Sequence, residues 1–331
     1  ASSDSRFLYA LQTSDGHLLW KRSYQRLTTV GGQTISLSRY LASDGKTLYI
    51  GSATGIYAWR ASDGEQRWHH EPPAACVVNP SACLIDMETV SDGLVYVYFD
   101  GLYALNATDG TTRWYNFQAP DATSTPLVVA HNHVYVPNYG GSLTVHVLRA
   151  DTGKLLSTPG LPQATPYDII TDGNTVYIRT APASGGGADV YALRSSADRI
   201  LWHHHYAEVV GLDTVSESSL YYTYVATSTS ASSQKHVQPS SVTSANESII
   251  QQKTKLVIHV CAVSTKDGSP QWCQPLPAGS LPSTAMNQGI VYAVGFAQNH
   301  QGLDAIRLSN GRILWHILTR IQLIDADTVL V

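Results

Sequence analysis

One hairpin pattern, repeated along the whole chain, limits what this sequence can fold into. LYALQTSDGHLLW at 8–20 returns as IYAWRASDGEQRW (56–68), LYALNATDGTTRW (102–114), VYALRSSADRILW (190–202) and VCAVSTKDGSPQW (260–272). LDAIRLSNGRILW (303–315) is a looser copy, and VHVLRADTGKLLS (145–157) is the weakest, with Ser157 where the others carry Trp. Each copy is a short apolar run, a turn and a second apolar run, which is a hairpin. A lone hairpin is marginal in water, so copies like these must cover one another's faces.

Aligned on the turn, one column reads Tyr9, Tyr57, Tyr103, His146, Tyr191, Cys261, Asp304, and the next Ala10, Ala58, Ala104, Val147, Ala192, Ala262, Ala305. The tryptophan column is Trp20, Trp68, Trp114, Trp202, Trp272 and Trp315. The register sets each small residue opposite its Trp, leaving room for a flat indole. Upstream lie β-rich runs: LYIG (48–51), VYVYF (95–99), VYVP (134–137), VYIR (176–179), LYYTYV (220–225) and VYAVG (291–295). An innermost strand precedes these again, as in Thr125 to Ala130 or Tyr167 to Thr171. Four short strands in roughly 42–48 residues make one propeller blade.

The first hairpin (7–20) has no strands in front of it, and IQLIDADTVLV (321–331) carries the first two strands of a blade. Together they are expected to share one blade, closing a ring and leaving no unpaired edge. The fold class expected is all-β, a seven-bladed β-propeller of four-stranded antiparallel blades, as a single domain over 1–331.

Charged residues are 14% of the chain and the net charge is −4, too poor in Lys and Arg for a phosphate-binding surface. Nineteen Tyr and seven Trp against four Phe suit sheet positions where one end of the ring is dry and the other wet. No run of 18 apolar residues occurs, so no span of a membrane is expected from this segment. These residues include no basic-then-apolar leader, and Ala1 need not be the natural start.

The Tyr-Ala-Leu-x-x-x-(Asp/Thr)-Gly-x-x-x-Trp pattern resembles the pyrroloquinoline-quinone (PQQ)-type propeller repeat with its tryptophan-docking motif. The resemblance covers essentially the whole chain, and six of seven copies keep the docking Trp. That family includes quinoprotein dehydrogenases, cofactor-free scaffolds such as the outer-membrane assembly lipoprotein, and extracellular sensor domains of bacterial membrane proteins. The fold alone does not choose among them. Its dehydrogenases typically have eight blades, and many carry a vicinal Cys–Cys disulfide and a Glu/Asn/Asp set for calcium and a base. No two cysteines are adjacent here and no segment matches that set. The expectation is therefore a non-enzymatic binding or scaffold propeller without a cofactor. It would serve as an extracytoplasmic sensor or recognition domain of a bacterial secreted or membrane-tethered protein. The alternative is a PQQ-dependent oxidoreductase, with PQQ and calcium as cofactors.

Histidines cluster at His69-His70, His131-x-His133 and His203-His204-His205. His69, His203 and His316 share the column after the docking Trp and face Tyr57, Tyr191 and Asp304. A slot repeated in separate blades is structural, because ligands for a metal must converge on one point; no metal site is expected. Asp304 and His316 read as a cross-strand charge pair. Cys261 and Cys273 are opposed by the same register, close enough to bridge, and Cys76 and Cys83 lie in one short connection, CVVNPSAC. Two disulfides, Cys76–Cys83 and Cys261–Cys273, are expected, and they point to an oxidising compartment. Catalytic residues are not expected: no G-x-S-x-G elbow is present, and the Asp-Gly pairs are turn residues.

Two features depart from the repeat. Residues 226–253 form a polar insertion between the second and third strands of the sixth blade, expected as an exposed loop or protruding hairpin. Trp59 replaces the Leu of the repeat and is expected to fill a core gap. The central channel, lined by the innermost strands, is the default ligand site of a propeller. Its candidate residues are Thr34, Asp86, Ser124, Thr125, Tyr167, Asp168, Ser283, Thr284 and Gln322, with no Arg or Lys cluster for a quinone's carboxylates. The expected partner is a protein, a glycan or a small-molecule ligand at a rim or in the channel. Nucleic acid is not expected, and the chain is expected to be a monomer.

Overall fold

The computed structural model describes residues 7–11, 18–23, 41–52, 55–78, 86–119, 127–138, 144–161, 166–181, 187–196, 199–207, 209–216, 218–229, 254–275, 283–287, 289–297, 300–318, 322–325 and 328–330, some of them by backbone alone. They fall into two compact units. One is Ala1–Ala207 with Val215–Ser218 and Thr265–Gly268; the other is Glu208–Thr214, Ser219–Ser264 and Ser269–Val331.

In the first unit the opening hairpin, β1 (Phe7–Leu11) and β2 (Leu18–Ser23), forms a two-stranded sheet. The second copy is β3 (Leu41–Ser43), β4 (Thr47–Ser52), β5 (Gly55–Arg60) and β6 (Gln66–His70), followed by a short helix, α1 (Ala74–Val78). The third copy is β7 (Asp86–Ser91), β8 (Leu94–Tyr98), β9 (Leu102–Asn106) and β10 (Thr112–Asn116). The fourth is β11 (Val128–Ala130), β12 (His133–Asn138), β13 (Thr144–Arg149) and β14 (Leu155–Ser157). The fifth is β15 (Pro166–Thr171), β16 (Thr175–Thr180), β17 (Ala188–Arg194) and β18 (Arg199–Tyr206). Each copy is a four-stranded antiparallel meander in chain order. Innermost strands lie beside one another, β3 against β7 and β11 against β15.

The second unit carries β19 (Val209–Val215), β20 (Ser219–Thr229), β21 (Thr254–Ser264) and β22 (Pro270–Pro275) as one such sheet. β23 (Ser283–Asn287), β24 (Ile290–Ala297), β25 (His300–Arg307) and β26 (Ile313–Leu318) form the next. The closing hairpin, β27 (Gln322–Asp325) and β28 (Thr328–Leu330), is a two-stranded sheet whose β27 lies beside β23. Six copies are thus full four-stranded sheets, and the two terminal hairpins hold the four strands that a seventh would require.

The second strands β8, β12 and β16 are buried along nearly their whole length because they are covered on both faces. Tyr96, Tyr135 and Tyr177 are fully buried there, as is Tyr49 on β4. The outermost strand reads exposed except at the Trp, as β6 and β10 show. The expected register holds: Ala58 opposes Trp68, Ala104 opposes Trp114, Ala192 opposes Trp202 and Ala262 opposes Trp272. Each of these Trp rings lies against the buried tyrosine of its own second strand, Tyr49–Trp68 at 5.8 Å and Tyr96–Trp114 at 6.0 Å between centroids. Trp59 is buried, in contact with Tyr57 at 6.3 Å, so it fills the core.

The boundary of the polar insertion needs correction. Residues 226–229 belong to β20, paired Ala226 with Val257 through Thr229 with Thr254. Alternating Thr and small side chains are good strand formers, and polarity alone concealed this extension. The insertion does connect the second and third strands of its blade; residues 230–253 lie outside the described residues.

Candidate functional site

Five of the described hairpin turns seat a contact from the preceding copy. Gly64 donates its N–H to Arg60 O at 2.8 Å with φ +68°, and Asp63 Oδ1 accepts from Glu65 N at 2.9 Å. On that turn sits the indole of the preceding copy. Trp20 Nε1 donates to Ala61 O at 2.8 Å, Trp68 Nε1 to Ala107 O at 2.9 Å and Trp114 Nε1 to Ala150 O at 2.7 Å. Trp202 Nε1 does the same to Thr265 O at 2.8 Å within the first unit, and Trp272 Nε1 to Leu308 O at 3.0 Å within the second. A Cβ on Gly110 would lie 2.5 Å from the Trp68 ring, and one on Gly153 2.4 Å from the Trp114 ring. Glycine is therefore required twice over at these turns, for its φ and for the ring pressed on it.

A second clamp was not foreseen. Two residues after the Trp, Arg22 Nε donates to Gly64 O at 2.9 Å, and Asn116 Nδ2 to Gly153 O at 2.8 Å. The ring N–H of His70 reaches Gly110 O at 2.9 Å, and that of His204 reaches Asp267 O at 2.8 Å. Burial, against the raising effect of the Gly110 carbonyl, holds the His70 imidazole below its ordinary range.

His69 and His203 are also structural. His69 stacks on Tyr57 with centroids 4.1 Å apart, and His203 on Tyr191 at 4.3 Å. Tyr115 stacks on Tyr103 in the same slot at 5.4 Å, and in the sixth copy a Cys261–Cys273 disulfide occupies it, Cα atoms 4.1 Å apart. Cys76 is also disulfide-bonded, while Cys83 lies outside the described residues. The side chains of Asp304 and His316 are likewise not described, although their backbones are opposed in register. Trp315 opposes Ala305 and is 40% exposed. Among the described residues no group of three or more His, Cys, Asp or Glu could hold a metal ion.

Of the channel candidates, Thr34, Ser124 and Thr125 lie outside the described residues, and Asp86, Ser283, Thr284 and Gln322 are described by backbone only. Tyr167 and Asp168 are fully described, and they stand together at the start of β15. A register shift between Pro166 and Asp168 displaces Tyr167 from the ladder and leaves its ring 47% exposed. Asp168 pairs by register with Arg179 on β16, whose Nε donates to the carboxylate. Arg179 Cζ lies 5.1 Å from the Tyr167 ring centroid, a cation–π contact. Tyr, Asp and Arg thus converge at the end of the blade opposite its two turns. Arg179 was missed because the candidates came from innermost strands alone; the VYIR run one strand out was the available signal.

A family model described as outer membrane protein assembly factor BamB matches residues 4–223 and 144–322. The crystal structure of BamB from Moraxella catarrhalis is similar with a TM-score of 0.52 at 14% identity, covering 98% of this chain and 92% of that one. The computationally designed Ika8 protein gives a TM-score of 0.53 at 14% identity over 84% of this chain and 71% of its own. Hydrazine synthase of Kuenenia stuttgartiensis gives 0.52 at 12% identity over 85% and 81%. No curated protein matches the chain in sequence. At such identities the solved structures speak for fold alone; with the family match and the repeated docking of Trp on Gly, they establish that the chain belongs to the BamB family of β-propellers built from PQQ-type repeats.

Proposed function

We propose that the chain is a non-enzymatic scaffold that works outside the cytoplasm and binds protein partners, as a recognition or sensor domain. The observation that carries this reading is the family match over residues 4–223 and 144–322, to a protein described as an assembly factor for outer-membrane proteins. Several described histidines support it, because His69 is engaged in stacking, His70 in a turn clamp and His133 in a seam between blades. The Cys261–Cys273 bridge fits an oxidising compartment.

The test is capture by the intact chain from an extracytoplasmic fraction, with cross-linking and mass spectrometry, run beside an assay with PQQ and calcium. A scaffold retains specific proteins at stoichiometric yield and leaves the quinone spectrum unchanged. Dye reduction with an alcohol or sugar after loading, and no retained protein, would overturn the reading in favour of an oxidoreductase.

A further inference from the structure

We infer that Arg179, with Tyr167 beside it, is a binding site for a carboxylate carried next to an apolar or aromatic group. The inference goes beyond the scaffold reading and stands whether or not a protein partner is found.

The guanidinium is fixed from two sides. Its Nε is held by the Asp168 carboxylate and its face lies over the Tyr167 ring, so its direction is set before any ligand arrives. The Arg179 side chain is only 14% exposed. Its two terminal nitrogens carry four N–H donors, and among the described residues none accepts from them. Neither of these nitrogens is sealed from water without a partner. A half-buried, pre-aimed fork with unused parallel donors matches a planar, two-oxygen acceptor better than a point acceptor.

The neighbour completes the specificity. Tyr167 is 47% exposed, while its ring already receives Arg179. A ligand whose carboxylate met the fork would lay the atoms next to it along this ring. Small aromatic acids and the C-terminal residue of a peptide share that chemistry. Asp168 offsets the positive charge, so affinity would depend on the geometry of the fork more than on net charge.

The experiment titrates the intact protein with benzoate and with benzamide, and with a short peptide ending in Phe as its free acid and as its amide. Binding is read by ligand-observed saturation-transfer NMR. Both acids should bind and both amides should not; binding by the peptide acid alone would assign the source to polypeptide ends, and by benzoate alone to small acids. Arg179→Gln should abolish the signal. Arg179→Lys, which keeps the charge and an ion-pair partner for Asp168, should weaken binding by about tenfold or more because the fork is lost. Tyr167→Ala, at an exposed position, should weaken it by a smaller factor, and melting curves verify that each variant is folded. Equal binding of acids and amides, undiminished binding to folded Arg179→Lys, or no binding of any probe at millimolar concentration would overturn the inference.

Discussion

His70 shows how a residue that looks like chemistry serves architecture. Its ring N–H is spent on the Gly110 carbonyl of the following turn, and burial disfavours its charged form. The consequence for stability has a definite sign. The folded pKa lies below the ordinary value of about 6.5, so on acidification the unfolded chain takes up the proton first. Stability attributable to His70 is present above about pH 6.5 and is lost as pH falls from there toward the folded pKa. Urea midpoints between pH 7.5 and 5 should therefore drop. His70→Asn, which can keep the donor as Asn116 does in the next blade, should flatten that part of the drop. A slope unchanged by the substitution would remove His70 from the explanation. The role of His70 was not legible beforehand, because the register relates residues within a hairpin and His70 acts on the next one. The stacking of His69 and His203 was legible, since their partners are cross-strand neighbours.

At the level of elements, β20 and β21 show both the reach and the limit of pattern reading. The Trp202 to Trp272 interval announced an insertion, and its place between the second and third strands is as expected. Its boundary was misjudged because Ala226 to Thr229 alternate small and β-branched residues that pair as strand. Thr229 faces Thr254 directly, so a two-residue turn can join them. Replacing residues 230–253 by Asn-Gly should leave the melting temperature unchanged or slightly raised, since a shorter loop costs less to close. A fall of more than about 4 °C, roughly 3 kcal/mol at this chain length, would show that the insertion packs on the fold.

At the scale of the whole molecule, the described seams form a chain of nearest-neighbour contacts in which the Trp of one blade docks on the turn of the next, as Trp68 does at Gly110 and Trp114 at Gly153. The single repeat without Trp, at Ser157, precedes the single turn without Gly in the aligned position, at Asp198. Both halves of one lock are absent together, as a pairwise contact requires. At that seam Ser195 O, the carbonyl in the acceptor position, takes hydrogen bonds from His133 Nδ1 and Tyr135 OH, each at 2.8 Å. The blade pattern was readable because identical physics repeats it; the Tyr167–Asp168–Arg179 site occurs once and left no such trace. The most direct measurement is a double-mutant cycle on Trp68 and Gly110, read by chemical denaturation. With Trp68 present, Gly110→Ala must place a methyl against the ring at positive φ and should cost about 3 kcal/mol. After Trp68→Ala only the backbone cost of about 1 kcal/mol should remain, a coupling near 2 kcal/mol. Strictly additive costs would contradict the lock.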